Sequence, residues 1–127
     1  MPEEYGGLGL DVTTCLIAMQ ALGRHCRDGG FLFSLNSHMW TCEIPLLDFG
    51  TEEQKTHYLP RMIEGTIVGG HAMTEPGSGS DAYSMRTTAV KTDSGYVLNG
   101  SKVFISNAPI ADVLLIFAST DRKLGWA

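Results

Sequence analysis

The chain has 127 residues, 43% hydrophobic and 18% charged, a balance that supplies enough apolar surface to pack and excludes intrinsic disorder. The formal net charge is -5 and the nine Lys and Arg are scattered, so no basic stripe exists to neutralise a phosphate backbone and no nucleic acid is expected as a partner. No window approaches the ~18 consecutive apolar residues of a membrane span, and Met1-Pro2-Glu3-Glu4 lacks the segments of a signal peptide, so a soluble intracellular protein is expected.

Helical signals fill the first half and strand signals the second, which predicts the α+β class, a helical segment (residues 1–65) followed by an antiparallel β domain (residues 66–127). After the turn-like Tyr5-Gly6-Gly7-Leu8-Gly9, Asp11 caps a helix in which Val12, Leu16, Met19 and Leu22 recur at helical steps, with Arg24 and His25 near its end and Gly29-Gly30 to stop it. The run from Phe31 to Leu47 is apolar on most sides, predicting a buried helix that Pro45 kinks or ends. Thr51-Glu52-Glu53-Gln54 is a capping box that starts a third helix, Pro60 is expected to interrupt it, and Gly65 permits a left-handed cap. Thr66 to Met73 reads as a strand whose glycines, Gly69 and Gly70, suggest close approach of another backbone or a ligand. Thr87–Thr92 and Tyr96–Ser106 flank Asp93-Ser94-Gly95 as a hairpin, and Val113–Ala118 supplies another strand. The last residues, Thr120 to Ala127, form no closing element, so the chain reads as cut.

Cys15, Cys26 and Cys42 form no C-x-x-C pair and read as buried free thiols, with no metal site. The richest segment is Ala72-Met73-Thr74-Glu75-Pro76-Gly77-Ser78-Gly79-Ser80-Asp81. Gly77, Gly79 and Ala82 satisfy G-x-G-x-x-G/A, but the residues that follow have strand composition where a dinucleotide fold needs a helix, and no Gly-Lys-Ser/Thr makes it a phosphate loop. The hydroxyls of Thr74, Ser78 and Ser80 form either a polar lip for a planar heterocycle, acyl or phosphate group, or an ordinary solvated turn. His71 reads as a hydrogen-bonded packing residue, His25, His38 and His57 as structural or surface groups, and Glu75 and Asp81 as turn and cap acceptors rather than bases.

Thr74-Glu75-Pro76, the Gly77-Ser78-Gly79-Ser80-Asp81 turn and Asn99-Gly100-Ser101-Lys102-Val103-Phe104-Ile105-Ser106-Asn107-Ala108 together resemble the flavin-binding signature of the acyl-CoA dehydrogenase family. Pro2-Glu3-Glu4-Tyr5-Gly6-Gly7 and Phe49-Gly50-Thr51-Glu52-Glu53-Gln54-Lys55 with Leu59-Pro60 resemble its upstream motifs in the same order. The resemblance implies FAD as cofactor, an acyl-CoA thioester as substrate, electron-transfer flavoprotein or another acceptor as partner, and a homo-oligomer at full length. It places main-chain groups of Met73 and the Thr74 hydroxyl at the pyrimidine side of the flavin with His71 nearby, and Gly79 and Ser80 between flavin and thioester. Phe104, where many members have tryptophan, packs on the ring with Ile105 beside it, and Ser106, where many have threonine, donates a hydroxyl near N5. An apolar face and edge donors suit a ring that gains negative charge on reduction.

The same resemblance implies that the catalytic carboxylate belongs to a C-terminal helical domain outside these residues, so the chain alone is expected to be a catalytically inert part of an enzyme that oxidises a Cα–Cβ bond. The alternatives are a non-catalytic relative that binds an acyl-CoA or a partner, and a piece completed by a second polypeptide. A cytoplasmic location follows, or the mitochondrial matrix if the source is eukaryotic.

Overall fold

The computed structural model describes residues 1–120 and has the α+β character expected from sequence. A helical turn at Glu3–Tyr5 leads to α1 (Val12–His25), capped by the Asp11 carboxylate, which accepts the Thr14 amide at 2.7 Å. α1 ends at Cys26, whose backbone is extended, so Gly29-Gly30 do not stop it. They open α2 (Gly29–His38) instead, because the Asp28 side chain accepts the Phe31 amide at 2.9 Å and thereby starts a new helix. A π-helical turn at Met39–Glu43 joins α2 to α3 (Ile44–Phe49) with right-handed helical backbone at both junctions, so the run predicted as one helix is continuous, and Pro45 sits in the first turn of α3 without ending it. The apolar faces of the run are less covered than expected, Phe31 being 53% and Phe33 66% exposed.

α4 (Glu52–Ile63) starts with the expected capping box, Thr51 Oγ1 accepting the Gln54 amide at 3.3 Å and Gln54 Oε1 accepting the Thr51 amide at 2.8 Å. Pro60 lies inside this helix without interrupting it. A proline forfeits one bond to the carbonyl four residues back, and the burial of Leu59 and Met62 on either side outweighs that loss. Gly65, at φ 72°, makes the left-handed exit. Of the three thiols Cys42 is buried, whereas Cys15 and Cys26 are only half-buried.

The strands are β1 (Gly69–Ala72), β2 (Thr88–Thr92), β3 (Gly95–Asn99) and β4 (Val113–Ile116). β1 pairs with β4, and β2 pairs with β3 antiparallel, Val90 opposite Val97 and Thr92 opposite Gly95. β3 stops at Asn99 rather than running to Ser106, and Phe104 and Asn107 adopt left-handed backbones at φ 55° and 65°, which no strand accommodates. The chain divides into two compact units. Met1–His71 with Ser106–Leu114 is helical with a core of Cys42, Leu59, Met62 and Ile67. Ala72–Ile105 with the segment beginning at Leu115 carries the glycine loop and the hairpin, with Ala72 and Ala89 buried.

Candidate functional site

In the second unit the glycine loop is organised around one carboxylate. Glu75 is 6% exposed, its Oε1 accepting the Thr87 amide at 2.9 Å and its Oε2 the Arg86 amide at 2.6 Å. Lys102 Nζ donates to Glu75 Oε1 at 2.9 Å and to the Met73 carbonyl at 2.8 Å. Burial pushes the Glu75 carboxyl upward, but the neighbouring Thr87 hydroxyl, the Lys102 ammonium and the two amides outweigh it and hold the group down at about 2. The carboxylate is therefore ionised and saturated with donors, an anchor for the loop rather than a base, as its sequence context suggested. Thr87 Oγ1 itself is buried without good hydrogen-bond geometry to any partner, beside Gly100. A Cβ on Gly100 would lie 2.7 Å from Thr87 Cα, so glycine is the residue this crossing admits.

Beyond Glu75 the loop closes on itself, Glu75 and Ser78 exchanging backbone bonds of 2.9 and 3.1 Å, and Ser78 Oγ donating to the Asp81 carbonyl at 2.6 Å. Ser78 is consequently buried, and Gly79 and Ser80 stand exposed at the tip. The Val103 amide donates to the Thr74 carbonyl at 3.0 Å. This bond and the Lys102 bond bring Met73 and Thr74 alongside the Lys102–Val103 segment, from which Phe104 and Ile105 continue.

In the first unit β1 is gripped at two glycines. A Cβ on Gly69 would lie 2.6 Å from Met62 Cε and 2.7 Å from Cys42 Sγ; on Gly70 it would lie 2.8 Å from Leu114 Cδ2 and 3.1 Å from the Ser106 carbonyl oxygen. The close approach expected at these glycines is thus made by side chains on one face and by the Ser106 backbone on the other. The Gly69 amide donates to His38 Nδ1 at 2.8 Å, which fixes the neutral ring as the tautomer protonated at Nε2. That Nε2 lies 2.9 Å from Glu43 Oε1 and 3.1 Å from the Met62 carbonyl. The Glu43 carboxylate raises the His38 pKa against the opposing effect of burial, while the Gly69 amide competes for the lone pair a second proton would take.

His71 Nδ1 donates to the Thr41 carbonyl at 2.8 Å. Thr41 lies in the π-helical turn Met39–Glu43, so the bond ties β1 to that turn.

The candidate flavin residues fall in both units: His71 and Ser106 in the first; Met73, Thr74, Gly79, Ser80, Phe104 and Ile105 in the second. Among the described residues the hydroxyls of Thr74, Ser80 and Ser106 make no hydrogen bond to a protein group, and no atom lies within 4 Å of a Cβ placed on Gly77 or Gly79. Phe104 is 93% exposed, its ring displayed from a left-handed backbone that costs a phenylalanine about 1–3 kcal/mol. Within the second unit, the unspent Thr74 and Ser80 hydroxyls, the open backbone at Gly77 and Gly79 and the displayed Phe104 ring have the chemistry a planar heterocycle with edge acceptors would need.

Sequence reasoning assigned no role to Lys102, Glu43 or Asn107, and read His38 only as a structural or surface group. Lys102 and Asn107 stood inside a quoted motif, and their presence there is the signal that pointed to them. The helical unit also holds a largely apolar cavity of about 360 Å³ lined by Leu8, Leu10, Leu35 and Met39, whose polar groups, His38 and Glu43, are paired with each other.

Residues 1–66 match the acyl-CoA dehydrogenase N-terminal domain and residues 70–126 the acyl-CoA dehydrogenase middle domain. An acyl-CoA dehydrogenase of Bacillus subtilis is 45% identical over 125 residues, 98% of this chain and 32% of that protein. The crystal structure of the prolyl acyl carrier protein oxidase AnaB superposes with a TM-score of 0.94 at 50% identity, covering 98% of this chain and 33% of that one. PigA with FAD and proline superposes with a TM-score of 0.94 at 43% identity, covering 97% of this chain and 32% of that one. The chain thus spans about a third of the length of the relatives it matches. FAD is the cofactor of this family, and no helix among the described residues is long and apolar enough to cross a membrane. With residues 1–66 and 70–126 matched by the family's two domain models and the Thr74–Asp81 and Asn99–Ala108 motifs in place, the chain belongs to the acyl-CoA dehydrogenase family.

Proposed function

We propose that this chain supplies flavin and thioester contacts for a flavin-dependent dehydrogenase that oxidises the Cα–Cβ bond of an acyl thioester. The observation that carries the reading is the display of Phe104 beside a loop of unspent donors, in a chain whose relatives are solved with FAD. Bound FAD would accept the hydride leaving the β carbon. Main-chain groups of Met73 and the hydroxyl of Thr74 hold the pyrimidine edge, with His71 nearby; Phe104 and Ile105 cover the ring face; Ser106 donates to the N5 edge. Gly79 and Ser80 line the region shared with the thioester.

The carrier end of that thioester is either CoA or a carrier protein, since AnaB is described as acting on a prolyl acyl carrier protein and the Bacillus relative as acting on acyl-CoA. Glu75 is spent as an anchor for the loop. By family resemblance the proton-abstracting carboxylate, like the contacts of a homo-oligomer, would come from the two thirds of the family's length that this chain does not span. Electron-transfer flavoprotein or another acceptor would take the electrons onward. A chain that contributes half a site would bind flavin without turning over.

Titration of the chain with FAD, followed by flavin fluorescence, tests this. Saturable quenching that Phe104→Ala and Thr74→Val each weaken is expected, with no flavin bleaching when acyl-CoAs are added. Absence of binding overturns the flavin site, and rapid bleaching overturns the assignment of the base to another segment.

A further inference from the structure

We propose that Asn107 is a positioning residue that sets the place of the Ser106 hydroxyl by pinning the Ser106 turn to both α2 and β1. Its carboxamide is fully engaged: Nδ2 donates to the Ser34 carbonyl at 3.1 Å and to the Gly69 carbonyl at 3.0 Å, and Oδ1 accepts from Ser34 Oγ at 2.6 Å. One short side chain thereby joins the middle of α2 to the start of β1, across 73 and 38 residues of sequence. The backbone of Asn107 is left-handed at φ 65°, a conformation asparagine tolerates better than other residues with a Cβ, and it reverses the chain immediately after Ser106. The Ile110 amide closes that reversal on the Asn107 carbonyl at 2.8 Å.

Ser106 is held from its other side by Gly70. Its carbonyl oxygen comes within 3.1 Å of the place a Gly70 Cβ would occupy, so the turn lies directly on β1. Gly69, next to it, has both backbone polar groups taken by side chains, its amide by His38 and its carbonyl by Asn107. With the strand fixed by one clamp and the turn fixed to the strand by the other, the Ser106 side chain has a defined origin although its own hydroxyl bonds no protein group. A hydroxyl that must meet a ring edge within hydrogen-bond range needs such a support.

The flavin part of this inference rests on the proposed function, whereas the clamp does not, and the test separates them. Asn107→Asp preserves shape and the left-handed preference but removes both N–H donors and sets a carboxylate against two carbonyls. In the full chain it is expected to speed amide hydrogen exchange at Ile110 and Asp112 about tenfold and to weaken FAD binding about tenfold. In a Ser106→Ala background the same change is expected to alter FAD affinity less than about twofold, because a residue that acts through the hydroxyl has nothing left to position. Ser34→Ala, which removes one of the three bonds, is expected to show both effects in smaller measure and covers the case of an Asn107→Asp protein that does not fold.

Unchanged exchange rates in both variants overturn the clamp. An Asn107→Asp effect on FAD affinity equally large with and without the Ser106 hydroxyl overturns the positioning role and leaves a purely structural residue. If the unaltered chain binds no FAD, or Ser106→Ala leaves affinity unchanged, the flavin role of Ser106 and the positioning built on it both fall, and the exchange rates alone decide the clamp.

Discussion

Replacing Lys102 by methionine removes one ammonium and keeps most of the side-chain volume. Its partner Glu75 has a side chain only 5% exposed and Lys102 one only 11% exposed, so water cannot take the place of the lost bonds to Glu75 and to the Met73 carbonyl. An exposed ion pair contributes about 0–1 kcal/mol, but breaking a buried one by removing a single partner costs about 3–5 kcal/mol, because the remaining charge is stranded. Here the Arg86 and Thr87 amides still solvate the carboxylate, which places the expected loss near the lower bound, about 3 kcal/mol, or more than a hundredfold in the folding equilibrium. Urea unfolding at neutral pH, followed by circular dichroism, measures it. Glu75→Gln leaves the ammonium stranded instead, and the double variant is expected to be less destabilised than the sum of the singles by about 2 kcal/mol. Single variants within about 0.5 kcal/mol of the unaltered protein, or strictly additive ones, would refute the view of Glu75 as the buried anchor of the loop.

Glu75 is held at about 2 in the folded protein against an ordinary value of 4.5, so its stabilising contribution is complete above about 4.5 and is lost as the pH falls towards 2. Unfolding midpoints measured across that window should drop more steeply in the unaltered protein than in Glu75→Gln. At the glycines, Gly70→Ala forces a methyl to 2.8 Å from Leu114 Cδ2 and 3.1 Å from the Ser106 carbonyl oxygen, so both a side chain and backbone must yield, and should cost about 1–3 kcal/mol in thermal unfolding. Gly79→Ala meets open space and should change stability by less than about 0.5 kcal/mol.

Features decided by neighbours in sequence were legible before any coordinates. Asp11 and Thr51 cap helices because the amides they accept lie three residues away, and the left-handed exit at Gly65 needs only the missing Cβ. Asp93-Ser94-Gly95 marked the hairpin for the same reason, Gly95 standing at φ 145°. Features decided by distant partners were not. Pro60 looks like a helix breaker until the burial of Leu59 and Met62 is weighed against one lost bond. The β-branched and aromatic residues after Asn99 read as more strand, whereas Lys102 is drawn to Glu75 and Asn107 to Ser34 and Gly69, which bends the segment into a loop. The proposed flavin contacts rest on resemblance alone, since no local rule separates the Thr74 or Ser106 hydroxyl from that of any turn serine or threonine.

The glycine loop and β1 illustrate how backbone groups left over by one element become the fastenings of another. The Thr41 carbonyl of the π-helical turn is taken by His71. The edge groups of Gly69 find no strand on one side, and His38 and Asn107 take the amide and the carbonyl. The Arg86 and Thr87 amides precede β2, and Glu75 takes both. In each case a buried polar group that would cost about 1–3 kcal/mol unpaired is satisfied by a side chain from far along the chain. These fastenings use up His38, His71, Glu75, Lys102 and Asn107, the residues that by type look most chemical. What they leave unspent among the described residues is the set of plain hydroxyls at Thr74, Ser80 and Ser106 and the exposed ring of Phe104, residues that, taken singly, carry no chemical signature at all.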